Sequence, residues 1–331
     1  MEDNNIFEKE SQWEQSSEIR EIQKTIRRRN WKIISVSVVL AAAVLLGSAY
    51  GVIPLVEKLY WNPDESAYKE RTDLEATLHA YTELFAPGYN TALVTYHRTG
   101  FASYELQIPL VSTARNEMFS ARGSLDRNVL HVDDFLESPE GKNYVIEGRQ
   151  LPIVPPAPSE TEALRERLRA LPEYIRLEAK VEFAEDLSME ELMDFREKLC
   201  WDITWVYVRT KELSTEWTPL CGMNPFTSRI VYSGVDYDYP CFNMLDKETP
   251  EKLEQHFISL LQYSADQLEK GRGIALYDDE ALYNEILDYV KENGVKTYGV
   301  VVTASPQELL ELLDSDLIRD VRPMDGWIDI G

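Results

Sequence analysis

The chain is poor in the residues on which catalysis and metal binding are usually built. It has four histidines in 331 residues, His79, His97, His131 and His256, and none sits in a ligand or triad pattern. No HExxH pair is present to hold zinc, and no GxSxG turn to expose a serine nucleophile. Gly271-Arg272-Gly273 lacks the glycine spacing and the following lysine of a phosphate-binding loop, and reads as a helix C-cap and turn. His256 falls within EKLEQHFISLL, beside the apolar face of a helix, where packing is its expected role. No catalytic residue, cofactor or metal is therefore expected. An envelope hydrolase would need a nucleophile and a base brought together from distant loops.

Cysteine is scarce too. Three residues, Cys200, Cys221 and Cys241, exclude a disulfide-dense scaffold, and their spacing is not that of a zinc knuckle. Any one disulfide leaves a thiol over; Cys221 with Cys241 is the expected pair, because both lie in one loop-rich region. Basic residues are the third shortage. The chain has 34 Lys and Arg against 58 Asp and Glu, a net charge of −24, and the excess falls almost wholly on residues 57–331. Such a surface disfavours nucleic acid as a partner.

What the chain does have is one long uncharged run, IISVSVVLAAAVLLGSAYGVIPLV, from Ile33 to Val56. As a helix its 24 residues would be about 36 Å long, enough to cross roughly 30 Å of bilayer hydrocarbon with some tilt. Arg27, Arg28, Arg29 and Lys32 precede it, whereas Glu57 and Lys58 follow and cancel. The excess of positive charge puts the N-terminus in the cytoplasm and the large domain outside the cell membrane. Trp31 at one mouth, and Tyr60 and Trp61 at the other, stand where amphipathic rings meet lipid headgroups. Gly47 and Ala49 would suit a signal peptidase, but the basic segment is long and the apolar run continues past them, so an anchor is favoured. Pro54 would kink the last turn or mark where the helix leaves hydrocarbon.

The expected layout is a cytoplasmic tail over 1–32 and a transmembrane helix over 33–56, followed by an extracytoplasmic region. In the tail, Ile19, Ile22 and Ile26 recur at helical spacing. Two readings stay open. The stripe lies on the membrane surface with its arginines near lipid phosphates, or it docks a cytoplasmic protein.

Residues 57–150 are expected to form a juxtamembrane helix and a β-rich subdomain. Leu74, Leu78, Tyr81 and Phe85 share a helix face, in a run from 57 that stops at Ala86-Pro87-Gly88. Residues 91–97 and 102–110 read as strands around a turn at Arg98-Thr99-Gly100, and NVLHVDDF and NYVIEG are further strand candidates. LPIVPPAPSE, 151–160, is a Pro-rich linker.

Residues 161–331 repeat one grammar. A strand within 175–183 leads to Ser188 and Glu191, a capping box, then a helix to about Leu199 and a strand over 203–209. A strand over 295–303 leads to Ser305-Pro306-Gln307-Glu308, a helix to about Leu313 and a strand from Ile318. The pattern predicts an α+β domain whose antiparallel sheet carries split β-α-β units, as in ferredoxin-like folds. Between the copies an insertion, about 211–293, opens with an aromatic loop and continues as helices near 250–270 and 278–293. In that loop Asp236 and Asp238 alternate with Tyr237 and Tyr239. A calcium site, a solvated turn and a contact for a cationic peptide or headgroup are all compatible with that pattern.

Three stretches carry a family resemblance: YVKENGVKTYGVVVTASPQELLELLDSDLIRDVRP (289–323), ALPEYIRLEAKVEFAEDLSMEELMDF (170–195) and the DITWVYV strand. Together with a basic juxtamembrane segment before one span, they resemble the bacterial sigma factor regulator family, found mostly in Firmicutes. The resemblance implies an anti-sigma-type membrane protein that holds an extracytoplasmic-function sigma factor until an envelope signal releases it, with an accessory membrane protein as a further partner. It carries over no catalytic residue. The histidine and cysteine zinc ligands of many anti-sigma factors are missing from the tail. The rival expectation is an extracytoplasmic binding or scaffold module without transcriptional output.

Overall fold

The computed structural model describes residues 4–63, 66–68, 71–115, 117–133, 158–198, 202–212, 220–225, 235–243, 249–274 and 280–328. They divide into two compact units, Met1–Tyr60 and Trp61–Gly331.

The first unit is helical. α1 (Asn4–Gly47) runs through the polar tail and into the apolar run as one element. A π-helical turn, Ser48–Val52, then leads into α2 (Ile53–Glu57). Proline accounts for the widened turn. Pro54 has no N–H to offer Tyr50, and its ring would strike that carbonyl in a regular helix. The looser turn avoids the clash, with the Ile53 N–H donating to Ser48 O five residues back. Arg20–Glu57, 38 residues, is long and apolar enough to cross a membrane, and none of its apolar window is packed inside the protein.

In the second unit a five-stranded antiparallel sheet is built from β8 (Ile175–Ser188), β9 (Ile203–Val208), β10 (Gly222–Met223), β12 (Lys296–Ala304) and β13 (Ile318–Ile328). Its order is β10-β9-β12-β8-β13. β12 lies antiparallel between β8 and β9, and β8 lies antiparallel between β12 and β13. Each pair joined by a helix, β8 with β9 through α5 (Met189–Lys198) and β12 with β13 through α8 (Pro306–Leu313), is thus split by a strand of the other pair. Both capping boxes form. The Ser188 N–H donates to Glu191 Oε2 at 2.8 Å, and the Ser305 N–H to Glu308 Oε2 at 2.6 Å. In each, the glutamate N–H donates back to the serine Oγ. One sheet face is apolar: Val181, Val300 and Val206 stand in register across three strands, and Phe183 meets Phe195 of α5 edge to face at 5.1 Å. The other face mixes Trp205 and Tyr207 with the buried Glu178, Lys180 and Glu182.

A second sheet follows the order β11-β7-β6-β5-β3, with β4 also paired to β5. Its strands are β3 (Tyr89–Thr91), β4 (Thr95–Gly100), β5 (Ser103–Ser112), β6 (Met118–Asp126), β7 (Val129–Asp133) and β11 (Gly273–Ile274). The turn between β4 and β5 falls at Phe101-Ala102, past the expected Arg98-Thr99-Gly100, and Ala102 takes a left-handed φ of 46° to make it. β11 comes from the far end of the chain and pairs parallel to β7, tying the expected insertion to this sheet. NYVIEG and 151–157 of the Pro-rich linker lie outside the described residues; α4 begins at Pro158 (Pro158–Arg169). Buried residues before and after the linker belong to one continuous core.

Between Tyr60 and Asp73 the helix expected to leave the membrane is absent among the described residues. A short hairpin, β1 (Ser66–Tyr68) with β2 (Arg71–Thr72), precedes α3 (Asp73–Phe85). Asn62-Pro63 disfavours a helix there. Trp61 is 1% exposed, its N–H donates to Asn128 Oδ1 at 2.8 Å, and Arg272 lies over its ring. It is a core residue of the second unit, not a ring open to a membrane surface.

All 13 residues of α3 are buried. It packs against β3, β10 and α6 (Pro250–Glu269), and α6 packs in turn on α7 (Glu280–Asn293). Close approach at β10 depends on glycine. A Cβ on Gly222 would lie 2.1 Å from Val206 O and 2.4 Å from the Trp205 ring. Leu309 of α8, which packs on β8, β12 and β13, is fully buried. Leu309→Ala should cost about 2–5 kcal/mol in denaturant unfolding; a loss below about 0.5 kcal/mol would place that side chain outside the core.

Candidate functional site

A helix buried on every side must satisfy its polar side chains internally. α3 carries Asp73, Glu75, Thr77, His79, Thr82 and Glu83, all buried. The threonines turn to their own helix, Thr77 Oγ1 donating to Asp73 O and Thr82 Oγ1 to Leu78 O. Asp73 pairs with Arg272, just beyond α6. Glu83 is the centre of the remainder. Its Oε1 is 2.8 Å from His256 Nε2 of α6, and its Oε2 is 3.0 Å from His79 Nε2, one turn back on α3. Its backbone carbonyl accepts from Trp205 Nε1 of β9 at 2.9 Å. One residue thus joins α3 to α6 through its side chain and to the main sheet through its backbone.

The surroundings fix the ring of His256. Its Nδ1 is 2.8 Å from Cys241 O. Cys241 belongs to 235–243, a segment clipped along α6 by two further bonds. Ser259 Oγ donates to Pro240 O at 2.6 Å, and Tyr239 Oη donates to Asp266 Oδ2 at 2.5 Å. Cys241 itself holds φ at 64°, the left-handed region that costs a residue with a side chain about 1–2 kcal/mol. Phe242 meets His79 edge-on at 5.9 Å and Tyr263 at 4.9 Å, closing the cluster with aromatic rings.

Burial by itself raises the Glu83 carboxyl. The charge and hydrogen bond of His256, and then the close approach of His79, outweigh it and hold the group well below the usual carboxylate range. Among the described residues no group of three ligands is placed to hold a metal. What the cluster does chemically is keep charge in a dry core and bind one helix to two neighbours.

The residues singled out in the sequence are placed elsewhere. Ile22 and Ile26 are 57% and 53% exposed on α1; Ile19 is on the same helix, its side chain outside the described set. Arg27, Arg28, Arg29, Trp31 and Lys32 are exposed further along α1, and Tyr60 is half-buried at the end of the first unit. The Asp236–Tyr239 stretch does not form one alternating surface. Val235–Tyr237 is a 3-10 turn, Tyr237 points out at 89% exposure, Asp238 is exposed, and Tyr239 faces inward to Asp266. Asp236 lies on that turn. Cys221 is buried beside β10 and Cys241 half-buried in the clipped segment.

Glu83 and His79 escaped the sequence reading because a polar face on an amphipathic helix is ordinarily solvated. A signal existed. Apolar residues surround the whole helix, Leu74, Leu78 and Tyr81 on one side and Ala76, Ala80 and Leu84 on others, and His256 sits among Leu253, Phe257 and Leu260.

Because the Glu83 carboxyl is depressed in the folded protein, its stabilisation is complete above 4.5 and is lost as pH falls from there toward the folded value. Glu83→Gln should cost about 3–5 kcal/mol near neutral pH, by leaving a buried histidine without its counter-charge. Denaturant unfolding should show the wild type losing this advantage on acidification below 4.5. Equal stabilities at neutral pH would remove Glu83 from its central place.

No curated protein and no solved structure matches the chain. A family match begins at the end of α4, outside α3, and takes in α6, α7 and His256 as well as both split β-α-β units. Residues 168–322 match the sigma factor regulator C-terminal family, and the match supports placing this part of the chain in that family.

Proposed function

We propose that this protein is a single-pass membrane regulator that couples a signal at the cell envelope to an extracytoplasmic-function sigma factor in the cytoplasm. The reading is carried by one conjunction: a match to the sigma factor regulator C-terminal family in the same chain as one helix able to cross a membrane. The basic residues Arg27, Arg28, Arg29 and Lys32 on the N-terminal side favour a cytoplasmic N-terminus, and with it an extracytoplasmic C-terminal domain.

The tail then acts by docking. α1 continues from Asn4 into the apolar run without a break, so Ile22 and Ile26 lie on a helix coaxial with the span. A helix that prolongs a transmembrane segment projects away from the bilayer instead of lying along it. Its exposed apolar stripe fits a groove on a protein partner, read at helical spacing. Lipid contact falls to the basic residues nearer the span. An accessory membrane protein beside the span would complete the complex.

Two isoleucines buried in a groove contribute about 1.5–3 kcal/mol each. Crosslinking in cells, followed by capture of the full chain, should recover a sigma factor. The Ile22→Asp/Ile26→Asp variant, equally abundant in the membrane, should lose it and change expression of the genes that sigma factor reads. Capture of envelope proteins alone, alike for both chains, would leave a binding or scaffold module without transcriptional output.

A further inference from the structure

The hydrogen bonds of His256 fix how many protons it and Glu83 hold between them. Its Nδ1 faces Cys241 O, a carbonyl that only accepts, so Nδ1 carries a hydrogen. Its Nε2 faces Glu83 Oε1 at 2.8 Å, and that contact needs a hydrogen as well. With Glu83 ionised, His256 donates from both ring nitrogens and is an imidazolium. If the hydrogen sat on Glu83 instead, the count for the pair would be the same. Take that one proton away and two acceptors face each other in a core where His256 is 0% and Glu83 1% exposed. Neither has water to turn to, His79 alone remains beside the carboxylate on its other oxygen, and two buried acceptors left face to face are strongly unfavourable.

We infer that the Glu83–His256 pair is a proton-held latch between α3 and α6, closed while the shared proton is bound and opened when rising pH removes it. The proton passes to hydroxide, and no other group changes hands. α3 is the first helix of the second unit after the apolar span in sequence, so loosening it frees the start of the exterior domain. That consequence for signalling rests on the membrane-regulator reading; the latch itself does not.

His79 faces the second oxygen of Glu83 at 3.0 Å, and the remaining ionisable groups on the packed elements have different engagements or lie at the surface. On α3, Asp73 is paired to Arg272 and Glu75 is one turn before His79. On α6, Asp266 accepts from Tyr239, Glu254 is half-buried, Tyr263 donates to Asp73 O, and Glu251 and Glu269 are exposed. The clipped segment adds Asp236, the exposed Asp238 and the thiol of Cys241. The carboxylates of α5 and α7, with Lys198 and Lys291, are exposed; Arg196 and Tyr289 are half-buried and Tyr283 meets Phe85 edge to face. β3, β9 and β10 bring Tyr89, Trp205, Tyr207 and the adjoining Cys221, with no charged side chain.

Hydrogen–deuterium exchange of the full chain in micelles tests the latch. Above about pH 6.5, where an imidazole in water is neutral, opening releases one proton. Protection of α3 and α6, taken as a ratio to β12 at each pH, should then fall about tenfold per pH unit. In His256→Gln, which keeps a donor without a titrating group, the ratio should stay flat. Histidine side-chain NMR of the wild type should show one imidazolium signal disappearing over the same pH interval. A flat wild-type ratio, or a falling ratio without loss of that signal, overturns the proposal, and neither reading depends on the variant folding. Neither needs a partner, so a failed sigma-factor capture and a failed latch are separate results.

Discussion

The ion pair between Glu83 and His256 is the contact on which the second unit depends. It lets a helix with six polar side chains lie in the core, because the most costly of them is a carboxylate met by imidazoles on both oxygens. The same residue gives its backbone carbonyl to Trp205, whose ring in turn demands a glycine at 222. One residue therefore sets the spacing of α3 to the main sheet, through its backbone, and to α6, through its charge. Polar contacts of this kind add little net stability over an apolar core, but they fix which neighbours a helix chooses.

This arrangement changes the meaning of the segment between the two split β-α-β units. By sequence it is an insertion. In the structure α6 forms one wall of the core around α3, β10 extends the main sheet, and β11 joins the second sheet. The family match runs across it as well. The chain before the match, α3 and the second sheet, is held by this segment through His256, Arg272 and the Gly273 N–H, which donates to Asn128 O. The matched region and the chain that precedes it thus share one hydrophobic core.

Much of the architecture was legible in the sequence where local rules act alone. Both serine caps with glutamate at the third helical position form as expected, the strands on either side of them pair antiparallel, and Leu309 is in the core. The apolar run is one helix. The rest was hidden by tertiary contacts. Trp61 looked like an interfacial aromatic because it follows the run, yet it is buried against Asn128 and Arg272. Tyr237 and Tyr239 alternate as in a strand, but a 3-10 turn sends one outward and the other in. Glu83 drew no reading from the sequence, since nothing within α3 reveals that α6, 173 residues further along, brings a matching histidine. The all-round apolar pattern of α3 signals its burial and His79 stands one turn away, but the second partner, His256, is distant in sequence.

A double-mutant cycle on Glu83 and His256 tests this account most directly. Glu83→Leu and His256→Leu each strand a polar partner in the core, whereas the double variant strands neither. The unfolding free energies should be non-additive, the double variant being more stable than the sum of the single losses implies by about 1–3 kcal/mol. Additivity within about 0.3 kcal/mol would mean that the two residues do not hold α3 and α6 together.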